Sequence, residues 1–132
     1  DKRFIISLSG IIRFRIKNEL QKEKLYRNFE VDYSEFLNDL NEKVYQNIDY
    51  DKKNLLNKIK SFFLKINYPI DHNELIKLNL DQLVSTVSMI SPFSTEEKQK
   101  LVETVEIKDK IKTLDEIISF NLADFQENKT VQ

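Results

Sequence analysis

Between residues 3 and 17, apolar and polar side chains alternate. Phe4, Ile6, Leu8, Ile12, Phe14 and Ile16 fall on one side, and Arg3, Ser7, Ser9, Arg13, Arg15 and Lys17 on the other. A period of two is that of a β-strand. Ile5 and Ile11 interrupt the polar side and predict that it too is partly covered. Gly10, in mid-run, predicts a bulge or bend. Residues 18–24, NELQKEK, form a polar connection, and residues 26–33, YRNFEVDY, alternate again with Phe29, Val31 and Tyr33 on one face. Two alternating runs around a short polar loop predict a β-hairpin. For residues 34–50 two readings stand: a helix capped by Ser34 and carrying Phe36, Leu37, Leu40 and Val44, or an irregular crossover.

From Asp51 the period changes to that of an amphipathic helix, with Leu55, Leu56, Ile59, Phe62, Phe63 and Ile66 on one stripe. Tyr68-Pro69 ends it, because the residue before a proline disfavours helical backbone. Asp71, followed by Glu74, opens a short helix to about Leu78. Asn79 can cap a third, with the stripe Leu80, Leu83, Val84, Val87 and Ile90, closed by Ser91-Pro92. Ser94-Thr95-Glu96-Glu97 is a capping box for a helix bearing Leu101, Val102 and Val105. A last helix carries Ile107, Ile111, Leu114, Ile118, Leu122 and Phe125, before a polar tail. Strands followed by helices argue an α+β fold: a β-hairpin, then a bundle of four to five short helices. The organisation expected is a hairpin over 1–33, a crossover over 34–50, a helical bundle over 51–126 and a tail over 127–132.

Composition narrows the chemistry. The 132 residues carry 21 basic and 22 acidic side chains, a formal net charge of −1, which removes the strongest electrostatic case for a nucleic-acid or anionic-membrane partner. The absence of Cys excludes disulfides and Cys-based metal sites. Gly10 is the single glycine, so a Walker A loop and a dinucleotide fingerprint, each needing several, are excluded. His72 is the single histidine, which excludes the HExxH zinc motif and leaves it a surface or capping role. Asp1–Ile12 has the basic start and apolar run of a signal peptide, but it enters RFRIK rather than a small-residue cleavage site. No segment reaches the ~20 apolar residues of a membrane-spanning helix.

No catalytic constellation emerges. Glu96 and Glu97, and Asp115 and Glu116, are adjacent in sequence and diverge on a helix, whereas acid–base pairs must converge on one substrate. Serines and lysines are present, but no nucleophile turn or Gly-rich oxyanion loop accompanies them. No cofactor or metal site is expected. Two groups remain as candidate binding residues. Arg13, Arg15 and Lys17 form a basic strip on one strand face, which could follow a nucleic-acid backbone or be ion-paired within the fold. Tyr68, Met89, Pro92 and Phe93 lie at helix ends, where apolar side chains plug a core or contact polypeptide; Met and aromatics suit adaptable apolar recognition.

The strand LSGIIRFRIKNEL, the segment YRNFEVDYSEF, and the helical stretch LVSTVSMISPFSTEEKQKLVET followed by IKDKIKTLDEII resemble the N-terminal substrate-binding domain of Lon protease. The resemblance is nearest to stand-alone bacterial proteins that carry this domain without ATPase or peptidase parts. Gly10, Arg13, Phe14, Arg15 and Ile16 hold its strand pattern. Pro92, Phe93, Glu97, Lys98, Gln99 and Leu101 hold its helical one. It runs from about residue 3 to residue 125. It implies a PUA-like β pseudo-barrel joined to a helical bundle, with further strands before the hairpin seen here, so that the chain starts inside the β part. It also implies a non-catalytic, cytoplasmic module that binds unfolded or degron-bearing polypeptide in protein quality control. The alternative reading is nucleic-acid binding through the β part. A hairpin without its neighbouring strands also predicts self-association through its exposed edge.

Overall fold

In a computed structural model, residues 4–21, 25–40 and 50–127 are described, with side chains to residue 124. The fold is α+β. Among the described residues, strand β1 (Arg15–Glu19) pairs antiparallel with β2 (Phe29–Asp32), and a 3-10 helix (Ser34–Leu40) follows. Helices α1 (Lys52–Lys65), α2 (His72–Lys77), α3 (Leu80–Ile90), α4 (Thr95–Glu103) and α5 (Ile107–Glu127) complete the order. The chain divides into two compact units, Asp1–Val44 and Tyr45–Gln132. Arg3, Val44, the Phe125 side chain and the tail from 128, all given roles by the sequence pattern, lie outside the description.

In the first unit the hairpin is shorter than the alternation predicts. Residues 4–14 form no strand, and the second strand covers only part of 26–33. Alternation places side chains on two faces but supplies no hydrogen-bond partners, and a strand persists only where its backbone groups are paired. The bulge is also displaced. The register passes from Ile16 opposite Val31 to Asn18 opposite Glu30, so the extra residue is Lys17. A Cβ at Gly10 would meet nothing within 4 Å. Ile5 and Ile11, expected to be partly covered, are exposed. Leu20 N donates to Asn28 O (2.9 Å), extending the pairing. Arg27 grips both carboxylate oxygens of Glu19 at 2.9 Å while lying over the Phe29 ring. Of the crossover, 34–40 is the 3-10 helix, with Phe36 buried; 41–49 lie outside the described residues.

The second unit follows its stripes. Leu55, Ile59, Phe62 and Phe63 of α1, Leu83, Val84 and Val87 of α3, Leu101 of α4, and Ile111, Leu114 and Ile118 of α5 form one buried cluster. Leu56, Ile66, Leu80, Ile90 and Leu122 pack partly buried around it. Two residues expected on the α4 stripe depart from it: Val102 is exposed on the outer side of α4, and Val105 lies beyond the end of that helix at Glu103. Helix α5 is the hub, packing against α1, α3 and α4; with 21 residues it is not a short helix. Lys58 Nζ donates to Asp115 Oδ2 at 2.8 Å and so ties α1 to α5.

The helix ends are set by local chemistry. Ser94 Oγ accepts from Glu97 N (3.1 Å) while Ser94 N donates to Glu97 Oε2 (2.8 Å), the reciprocal bonds of a capping box. Asn79 and Gln82 do the same at α3, and Asp71 accepts from Asn73 N and Glu74 N at α2. At the end of α1, Asn67 takes a positive φ of 51°. Tyr68 N then reaches Phe63 O (3.0 Å) and Asn67 N reaches Leu64 O (3.2 Å), a Schellman termination. The apolar contact that goes with this motif is the Tyr68 ring on Phe63, with centroids 5.6 Å apart.

Candidate functional site

The basic strip is occupied from within its own unit. Arg13 grips Asp39 with Nε (2.8 Å) and Nη2 (2.7 Å), and its backbone N–H donates to the same carboxylate at 3.1 Å. The Arg13 guanidinium lies 4.7 Å from the centroid of the Phe36 ring, at the distance of a cation–π contact. Arg15 pairs with Glu35 at 2.8 Å and Lys17 with Asp32 at 3.0 Å. Arg13, just before β1, and Arg15 and Lys17 within it therefore each meet a carboxylate from β2 or the 3-10 helix.

Asp32 is held well below the usual carboxylate range. The Ser34 backbone N–H is the largest cause, followed by the Ser34 hydroxyl and then Lys17. Because the folded value is depressed, the contribution of Asp32 to hairpin stability is fully present above its ordinary value of 3.8 and is lost as pH falls below it. Carbon-13 NMR titration of the Asp32 carboxyl should show a midpoint displaced below the ordinary aspartate value of 3.8, and Ser34→Ala, which removes the hydroxyl but keeps the backbone N–H, should return it part of the way. An undisplaced midpoint in the parent protein would remove Ser34 as the anchor of this turn.

The four helix-end residues do not share one surface. Phe93 is 7 % exposed and belongs to the core, 5.5 Å from Phe62. Tyr68 is engaged in terminating α1. Pro92 is exposed in the turn between α3 and α4. Met89 lines a groove: it is 73 % exposed and sits with Leu101 and Val102 of α4 in a depression of about 430 Å³. Ser85 and Ser88 of α3, Lys98 of α4 and Lys110 of α5 form its polar border. Lys98 Nζ reaches the Met89 carbonyl at 3.4 Å, a cation at the C-terminal end of α3 where the helix dipole favours one.

A second and larger groove, of about 600 Å³, runs between α1 and α2. Helix α1 contributes Lys52, Lys53, Leu56, Asn57 and Lys60, and α2 contributes His72, Asn73 and Ile76. The sequence pattern did not reveal it. Its signal was present, since α1 carries five lysines and no acidic residue, but which of them converge on α2 depends on the turn at 66–71. Among the described residues, no three His, Asp or Glu are grouped so as to hold a metal, and no helix is long and apolar enough to cross a membrane.

A family model described as the ATP-dependent protease La (LON) substrate-binding domain matches residues 1–119. The chain belongs to this Lon family. Neither curated proteins nor solved structures give a match. The Lon domain is a substrate-binding one rather than a catalytic one. The strand and helix segments that carry the sequence resemblance lie within the matched span. The two apolar-floored grooves of the helical unit, at Met89 and between α1 and α2, also lie within it.

Proposed function

We propose that this Lon-type domain is a non-catalytic module that binds unfolded or degron-bearing polypeptide in cytoplasmic protein quality control. The observation that carries the reading, beside family membership, is the Met89 groove. A methionine largely exposed beside Val102 on a well-packed helical unit leaves apolar surface where none is needed for folding. Its flexible, polarisable side chain adapts to varied apolar partners. Ser85, Ser88 and the two lysines at the border offer hydrogen bonds to a peptide backbone. The nucleic-acid alternative rests on Arg13, Arg15 and Lys17, and a phosphate would have to displace Asp39, Glu35 and Asp32 from them.

Fluorescence anisotropy with a labelled, near-neutral unfolded polypeptide tests the reading, with the folded form of the same polypeptide as control. Binding of the unfolded form is expected, weakened roughly tenfold or more in Met89→Asp/Val102→Asp, because burying two carboxylates against an apolar segment costs more than the apolar contact gains. Both positions are exposed, so the fold should tolerate the change, which the helical circular dichroism of the variant checks. Equal binding by parent and variant would move the site elsewhere, and absence of binding by the parent would end the proposal.

A further inference from the structure

We infer that the groove between α1 and α2 is a second polypeptide subsite, one that selects acidic segments with interspersed apolar side chains. The inference rests on the polypeptide-binding reading above and adds a substrate class to it. Lys53, Leu56, Asn57 and Lys60 stand at i, i+3, i+4 and i+7 of α1 and so share one face. Ile76 supplies apolar surface from α2, and Asn73 a second amide. The result is an apolar floor, Leu56 and Ile76, with an ammonium towards each end and two amides able to pair with a peptide backbone. Among the described residues, no carboxylate lines the groove.

Two further observations separate this groove from an ordinary solvated helix face. The first is charge accounting within α1. Lys58 is paired with Asp115, Lys65 donates to the Leu122 carbonyl, and Lys52 donates to the carbonyls of Ile76 (2.9 Å) and Leu78 (2.6 Å). Among the described residues, the ammonium groups of Lys53 and Lys60 are the two left without an ion pair or hydrogen bond in this helix. Both line the groove. The second is rigidity. Lys52 ties the start of α1 to the end of α2, so the two walls are fixed before any ligand arrives, which lowers the cost of ordering on binding. Lys53 and Lys60 are seven residues, roughly 10 Å, apart along the helix axis. That matches about three residues of extended peptide. The complementary occupant has carboxylates two to four residues apart with apolar side chains between them, a spacing of roughly 7–13 Å that brackets the separation of the two lysines. A nucleic acid would satisfy the lysines but leave the aliphatic floor of Leu56 and Ile76 unused.

The test uses the whole chain and anisotropy with three labelled probes: a short peptide alternating Glu with Leu, the same peptide with Lys for each Glu, and a short oligothymidylate. The Glu/Leu peptide should bind, weaken as salt is added, and exceed the Lys/Leu peptide roughly tenfold or more, since like charges repel where opposite ones attract. Lys53→Glu/Lys60→Glu should abolish or reverse that preference while leaving binding of the near-neutral unfolded polypeptide at the Met89 groove unchanged. Lys53 lies in the first turn of α1, where a glutamate is favoured by the helix dipole, so the variant should fold. Ile76→Asp, also at an exposed position, should weaken the Glu/Leu peptide again. The inference is overturned if the Glu/Leu and Lys/Leu peptides bind equally, if oligothymidylate binds better than either, or if the double variant keeps the preference. If the near-neutral unfolded polypeptide binds but the Glu/Leu peptide does not, the subsite fails while the broader reading stands. If neither binds, both fail.

Discussion

Phe62→Ala is expected to lower the stability of the helical unit by about 3–5 kcal/mol, the range found when a buried aromatic is truncated. The ring is buried where α1 meets the turn between α3 and α4. It lies edge-on to Phe63 at 5.3 Å and tilted against Phe93 at 5.5 Å, and the surrounding cluster takes in residues from all five α-helices. Removing it deletes both ring contacts and leaves a cavity that rigid helices cannot fill, so the transfer loss and the cavity term add. For a domain whose total stability is of the usual ~5–15 kcal/mol, this is a large fraction. Urea unfolding followed by helical circular dichroism measures it. A loss below about 1 kcal/mol would place Phe62 outside the core, contrary to the packing described.

The second large effect concerns the first unit. A chain of these 132 residues is expected to self-associate through residues 4–14, with an apparent mass by light scattering that rises with concentration. Phe4, Ile5 and Leu8 are 92 %, 101 % and 89 % exposed, and Ile6 and Ile11 are exposed as well. Among the described residues the sheet has only the two strands β1 and β2, and an isolated hairpin is marginally stable in water. A second copy can supply backbone partners and apolar cover together. Ile6→Lys/Leu8→Lys should return the protein towards a monomer, because a strand that buries ammonium groups loses more than it gains. A parent mass that stays monomeric across the concentration range would show that this apolar run is tolerated in water.

The helical unit was the more legible half. Ser94 with Glu97, Asn79, and Asp71 with Glu74 announce three helix starts through side chains that bond to backbone within three residues, so local sequence suffices. The stripes of α1, α3 and α5 were legible because one apolar face must be buried whatever lies opposite it. Val102 was misread because apolar character says what a residue tolerates, not which neighbour arrives. Phe93 was ambiguous for the same reason: a residue in a turn joins the core only if a ring such as Phe62 comes within reach.

The β part shows the opposite balance. Residues 4–16 alternate in sequence, apart from Ile5 and Ile11, yet strand formation over 4–14 required backbone partners that no local pattern can supply. The displaced bulge at Lys17 follows from how β1 meets β2, not from Gly10. The same division separates the two kinds of candidate site. Taken alone, the sequence determined the two-part α+β character and the capped helix starts, because these depend on nearest neighbours and periodicity; the Lon resemblance rests instead on the likeness of particular segments. Tertiary structure decided that Arg13, Arg15 and Lys17 are neutralised by Asp39, Glu35 and Asp32, that Phe93 is core while Met89 faces a groove, and that Lys53 and Lys60 border an apolar floor shared with α2. Each of these rests on a contact between residues distant in sequence, and such contacts exist only once the chain has closed.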